Sequence, residues 1–211
     1  YNPKEALFLT GSSPQIQYVR NADGVIVPTD DLSLQLLTVY AHFEKLKILD
    51  EQLGIGNLLA WPAKVAMNVN FKTGGAKVEN NALYSAQFDA LLVVPYTEKA
   101  LPLLINAGVM AHEHFHAIFQ KLVIAPLKEK YPSLRKSLQQ ANVHDEDQRL
   151  KDMGLWEDHI LDQRKIDNTP VSDDETFFRL LYSATLMRRI NEGFADVWGW
   201  IYSGDTGFVG R

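Results

Sequence analysis

From Val109 to Val123 the chain is dominated by apolar side chains, and in the midst of them stand His112, Glu113, His114 and His116. An apolar run of this length, preceded by Leu103, Leu104 and Ile105, reads as a buried helix. Imidazoles and a carboxylate inside such a helix are costly to bury unless they are paired or bound to an ion. That requirement constrains the fold more than any other feature of the 211 residues.

Three of these polar residues, His112, Glu113 and His116, spell H-E-x-x-H. His112 and His116, four apart, fall on one helix face one turn above the other, where two imidazoles share a tetrahedral zinc. Glu113 lies about 100° round the helix, so it flanks such a metal without ligating it, as a general base for a metal-activated water must. His114 points roughly 200° from His112 and is read as a packing or hydrogen-bonding residue, outside the ligand set. There is no cysteine, which excludes disulfides, thiolate zinc sites and cysteine nucleophiles, and leaves His and carboxylate as the metal donors. A catalytic zinc needs a third protein ligand and an open position. Asn191-Glu192-Gly193-Phe194-Ala195-Asp196 offers Glu192 for that ligand, with Asp196 one turn on to accept the ring N–H of a ligating His. Gly193, Ala195 and Gly199 permit close packing of that helix.

The rest of the chain predicts an α+β fold in one domain over residues 1–211. Residues 1–95 read mostly as strands with one helix, giving an antiparallel or mixed sheet. Ile16 to Val19 and Val25 to Val27 flank a hairpin turn at Asn21-Ala22-Asp23-Gly24. Asp30 or Asp31 caps a helix to about Leu53, with Leu36, Leu37, Tyr40, Phe43, Leu46 and Leu49 on its apolar stripe and Gly54 after it. Val65, Met67, Val69 and Phe71 alternate as a strand, turned by Thr73-Gly74-Gly75, and further strands fall at about Val78–Tyr84 and Ala90–Val94. Residues 104–211 read as helical. Pro126 opens a helix through Leu127, Tyr131, Leu134 and Leu138. Ser172 and Glu175 form a capping box before a long helix striped by Phe177, Leu180, Leu181, Ala184, Met187, Ile190, Phe194 and Val197, closed by Gly204. Within the inserted segment 124–171 and just beyond it, residues 144–175 hold eleven acidic and four basic residues, a solvated helical face. A Ca2+ site from Asp145, Glu146 and Asp147 there lacks the spaced ligands of a known calcium loop.

A net charge of −5 gives no basic footprint for nucleic acid, and no run of eighteen apolar residues predicts a transmembrane segment. The start at Tyr1, without Met or leader, reads as a processed or trimmed product.

H-E-x-x-H followed by Asn191-Glu192 through Asp196 resembles the thermolysin-like zinc metallopeptidases, the gluzincin type. The resemblance covers roughly residues 31 to 203 and is concentrated in the two motifs. It implies that His112, His116 and Glu192 bind zinc, that Glu113 is the general base, and that Asp196 is hydrogen-bonded to His112. Asn81-Ala82-Leu83-Tyr84 resembles the family's edge strand along the cleft, which implies that Asn81 and Ala82 hold the backbone of a polypeptide substrate by strand addition. His42, in the helix preceding that sheet, reads as structural. Secretion or a cell-envelope location rests on the resemblance alone. Two departures stand out. The interval from His116 to Glu192 is much longer than in thermolysin itself, and family members continue into a helical C-terminal half that supplies an oxyanion donor, whereas the present sequence ends soon after the glutamate helix; Tyr182 is within reach of the site but reads first as a core residue.

The expected function is zinc-dependent peptide hydrolysis, internal rather than aminopeptidase, because no acidic motif captures a free N-terminus. The alternatives are an inactive peptidase homologue serving as a scaffold or adhesion module, a zinc amidase acting on cell-wall crosslinks, and a helical domain in which the His cluster is incidental.

Overall fold

The computed structural model describes residues 11–70, 72–73, 76–97, 102–130 and 173–208. The expected helix through Tyr131 to Leu138, the acidic stretch with Asp145, Glu146 and Asp147, and the Ser172 cap lie outside the described residues. The fold is α+β, with a small sheet and helices. It divides into two units, Tyr1–Lys121 with Phe194–Arg211, and Leu122–Gly193.

In the first unit, strands β1 (Tyr18–Arg20) and β2 (Ile26–Pro28) form the expected antiparallel hairpin. Asn21 makes its turn: Oδ1 accepts the amides of Asp23 and Val25, and Gly24 takes a φ of 78°. Helix α1 (Asp31–Gln52) starts at Asp30, whose Oδ1 accepts the Ser33 amide at 2.8 Å. Its buried residues are Ser33, Val39, Leu46 and Asp50. Tyr40, expected on the apolar stripe, is exposed instead. Two of the four inward positions are polar, so a count of apolar residues misplaces the stripe.

Strands β3 (Lys64–Ala66), β6 (Ala82–Ser85) and β7 (Ala90–Val93) form a mixed sheet in the order β3-β7-β6, parallel between β3 and β7 and antiparallel between β6 and β7. Between them β4 (Lys72–Thr73) and β5 (Ala76–Lys77) pair as a short ladder. The strand expected from Val65 to Phe71 is cut at Ala66, because Asn68 takes a φ of 54° and breaks the pleat. Asn80, also at 54°, delays the next strand until Ala82. Asparagine tolerates this left-handed backbone, and here its side chain adds two bonds: Asn80 Oδ1 accepts the Thr97 amide at 2.6 Å and Nδ2 donates to Thr97 Oγ1 at 3.0 Å.

After a 3-10 turn, Leu103–Ile105, helix α2 (Ala107–Phe119) is capped by Asn106, whose Oδ1 accepts the Gly108 and Val109 amides. The core is Val39 of α1, Ala82, Leu91 and Val93 of the sheet, Leu104, and Met110 of α2, with Phe43, Val65, Met67 and Val109 packed round it. A π turn, Gln120–Ile124, leads from α2 into α3 (Ala125–Lys130). The extra residue in the turn accompanies Pro126, which lacks an amide and crowds the carbonyl four residues back.

The long helix α4 (Asp173–Ser203) spans the range expected and is closed by Gly204 at a φ of 70°. Its buried face near the end is small: Ala195 and Gly199. Phe194 and Val197, expected in its apolar stripe, are exposed by 56% and 44%. Gly199 fits against the Gly108 carbonyl and the Phe208 ring, so that α2 and α4 approach closely. A Cβ on Gly108 or Gly199 overlaps the Phe208 ring, whereas one on Gly193 meets nothing within 4 Å. Gly193 therefore takes no part in that packing. Tyr202 packs edge-on to His42, with its hydroxyl 3.0 Å from Nδ1. Among the described residues no helix is long and apolar enough to cross a membrane.

Two outcomes follow from this packing. Gly199→Ala lowers stability by about 1–3 kcal/mol through overpacking, while Gly193→Ala raises it by up to about 1 kcal/mol through helix propensity; denaturant unfolding of both variants measures the difference. Burial, helped by Lys45, holds His42 below its ordinary value of 6.5. The folded state thus binds fewer protons than the unfolded one on that ring, and stability falls as pH drops below about 6.5. Unfolding midpoints at pH 7 and pH 5 differ less in His42→Gln than in the parent.

Candidate metal centre

Helix α2 brings His112, Glu113 and His116 together, as their spacing requires. One donor atom from each lies within 4.8 Å of the other two. The two imidazole rings stand edge to face, 4.6 Å apart at 87°. Glu113 is buried and the two histidines are partly buried, so the group sits at the margin of the apolar interior.

Each flank of the group is fixed by a different element. From α4, Asp196 places Oδ1 2.9 Å from Nδ1 of His112. More than half of that carboxylate is exposed, so its contribution to stability is small and its effect is on the orientation of the ring. From β6, the Tyr84 amide donates to Oε2 of Glu113 at 2.6 Å. The Asn81 carbonyl accepts from Val94 on the inner side of β6, so by alternation the main-chain groups of Ala82 and Tyr84 face outward from the sheet. Glu113 thus meets the outer edge of the sheet.

Asn81 and Ala82 lie at that same edge. Ala82 is buried, and its amide donates to Oδ1 of Asn81 at 2.8 Å. Glu192 is exposed on α4, in the Leu122–Gly193 unit, one turn before Asp196. It is not one of the three donors that converge among the described residues. The Tyr182 side chain lies outside the described ones.

His114 points away from this group, as its position on the helix predicts. Nε2 lies 3.1 Å from Oδ1 of Asp50, and both side chains are all but fully buried. Phe43 and Trp61 surround the ring. Asp50 was not singled out from the sequence, because it sits 64 residues away in a helix whose pattern marks only apolar positions.

Asp89 and Lys121 carry no signal in the sequence, and Tyr84 is marked there only as part of the edge strand. Tyr84 Oη donates to Oδ1 of Asp89 at 2.6 Å, and Lys121 Nζ donates to Oδ2 of the same carboxylate at 3.0 Å. The Tyr84 hydroxyl, and after it Lys121, hold Asp89 below the usual carboxylate range, against the opposing effect of burial. Burial, followed by the Asp89 carboxylate, pushes the Tyr84 phenol well above its ordinary value. The positive φ of Asp89, 48°, is the one local signal, and it is a backbone property that no spacing rule reveals.

The residues fit a zinc ion. Two imidazoles and nearby carboxylates, without thiolate, are a known catalytic donor set, and tetrahedral Zn–N bonds of about 2.0–2.1 Å suit donors at this spacing. With Asp196 at Nδ1, the opposite ring nitrogen of His112 is the one presented for coordination. No protein-family model, curated protein or solved structure matches the chain.

The separate roles of neighbouring histidines are measurable. His114→Ala breaks the buried pair with Asp50 and lowers stability by about 2–4 kcal/mol. Metal content per folded chain stays at the parental level in that variant, and elemental analysis after dialysis reads it.

Proposed function

We propose that this chain is a zinc-dependent endopeptidase of the gluzincin type, with a zincin-like fold. The observation that carries the reading is the convergence of His112, Glu113 and His116, with Asp196 against His112.

In this reading His112 and His116 are two ligands and Glu192 is the third. Glu192 shares a helix face with Asp196 through their i, i+4 spacing, which supports that assignment. Zinc bound there supplies a Lewis acid for the scissile carbonyl and lowers the pKa of water to about 7. Asp196, with Oδ1 2.9 Å from Nδ1 of His112, favours the tautomer protonated at Nδ1. Glu113, oriented by the Tyr84 amide, takes the proton of the attacking water and passes it to the leaving nitrogen. Asn81 and Ala82 align the substrate backbone along β6, whose outer edge passes Glu113. Export or a cell-envelope location enters on the same family resemblance.

The test is metal content together with hydrolysis. The parent chain carries one zinc, lost in His112→Ala and bound at least about tenfold more weakly in Glu192→Ala. Glu113→Gln retains zinc while its cleavage of casein drops about 10²–10⁴-fold, the usual contribution of a general base. Equal hydrolysis by the parent and Glu113→Gln rejects the assignment. Cleavage of labelled cell-wall fragments but not casein makes the chain an amidase, and zinc binding without any hydrolysis makes it a scaffold.

A further inference from the structure

Tyr84 is held at both ends of the residue. Its amide is on Glu113 and its hydroxyl is on Asp89, which in turn is on Lys121. Glu113 and Lys121 are eight residues apart along α2 and the π turn that follows, a span of about 12 Å at the helical rise. The stretch from β6 to Asp89 is therefore pinned to the helix region at two separated points.

Packing alone does not hold it there. Tyr84, Asp89 and Glu113 line a cavity of about 50 Å³, shared with Trp61 and His114. The cavity is partly open, so its wall makes fewer packing contacts than a filled interior does. The β6–β7 ladder fixes the strand as a whole, and the directed bonds of Tyr84 and Asp89 add a restraint on its outward-facing edge. Asp89 keeps its left-handed conformation, which is unfavourable for a residue bearing a Cβ, while its carboxylate joins Tyr84 to Lys121.

We propose that Asp89, braced by Lys121, is a positioning residue that sets the Glu113 carboxylate through the Tyr84 amide. The kinetic consequence rests on the peptidase reading; the structural linkage does not. A carboxylate that accepts a short amide bond responds to movement of that amide, and displacement of about 1 Å in a reacting group lowers rate by about a hundredfold.

The experiment uses the full chain with Asp89→Asn, Tyr84→Phe, Lys121→Met and Lys121→Arg. Two quantities are read: kcat and KM on a peptide derived from casein, and the Tyr84 amide proton resonance, assigned through its loss of downfield shift in Glu113→Gln. The expected result is a fall in kcat of about ten- to a hundredfold in the first three variants, with KM and zinc content within about twofold of the parent. The Tyr84 amide moves upfield in the same variants, and Lys121→Arg restores both values. Should Asp89→Asn fail to fold, Lys121→Met carries the test, since it alters a side chain that is 35% exposed. An unmoved Tyr84 amide in Asp89→Asn or Lys121→Met overturns the proposal, as does an unchanged kcat in an active enzyme. A parent chain that hydrolyses nothing, but whose Tyr84 amide responds as expected, removes the peptidase reading and supports the linkage.

Discussion

Charged and polar groups carried into the interior by an apolar helix need partners, and α2 imposes that need on everything around it. His112 meets Asp196 of α4, Glu113 meets the Tyr84 amide of β6, and His114 meets Asp50 of α1. Three successive residues, rotated by about 100° each, thus face three different elements. Burial of apolar surface brings these elements together, but apolar contacts leave register and rotation loosely defined. The polar partners remove that freedom, since a shift of one residue in any of them leaves an uncompensated group inside the protein.

The close approach of α2 and α4 has a different origin. Gly108 and Gly199 remove the side chains that would keep the helices apart, and the Phe208 ring occupies the space beside them. Asn106 ties the two features together, since its Oδ1 caps α2 and its Nδ2 donates to the Phe208 carbonyl. The helix start, the glycine contact and the position of the ring next to His112 form one construction.

Features set by local chemistry were readable in the sequence. The Asp30 cap, the Asn21 turn, the Gly204 stop and the angular positions of His112, Glu113 and His114 depend on residues within one or two turns of each other. The α+β class follows from the same local patterns. The extent of the strands did not, because Asn68 and Asn80 interrupt runs whose alternation continues unbroken. The partners of the site were legible only where a motif named them, as for Asp196. Asp50 and Lys121 look like ordinary helix residues, Tyr84 acts through its amide, and Phe208 acts through shape. The exposed Phe194 and Val197 show the limit of periodicity: a helix that packs through glycine and alanine turns its large residues outward.

Asn80 and Asp89 each combine a left-handed backbone with a side chain that accepts hydrogen bonds. Glycine relaxes the backbone at such a position but removes the acceptor, and leucine or lysine does neither well. Over evolutionary time, drift at these two sites is narrower still, since Asn80 both accepts from and donates to Thr97 while Asp89 accepts from two donors, so neither residue replaces the other. Descendants of this gene would carry that restricted alphabet on either side of the edge strand even after the surrounding sequence had diverged.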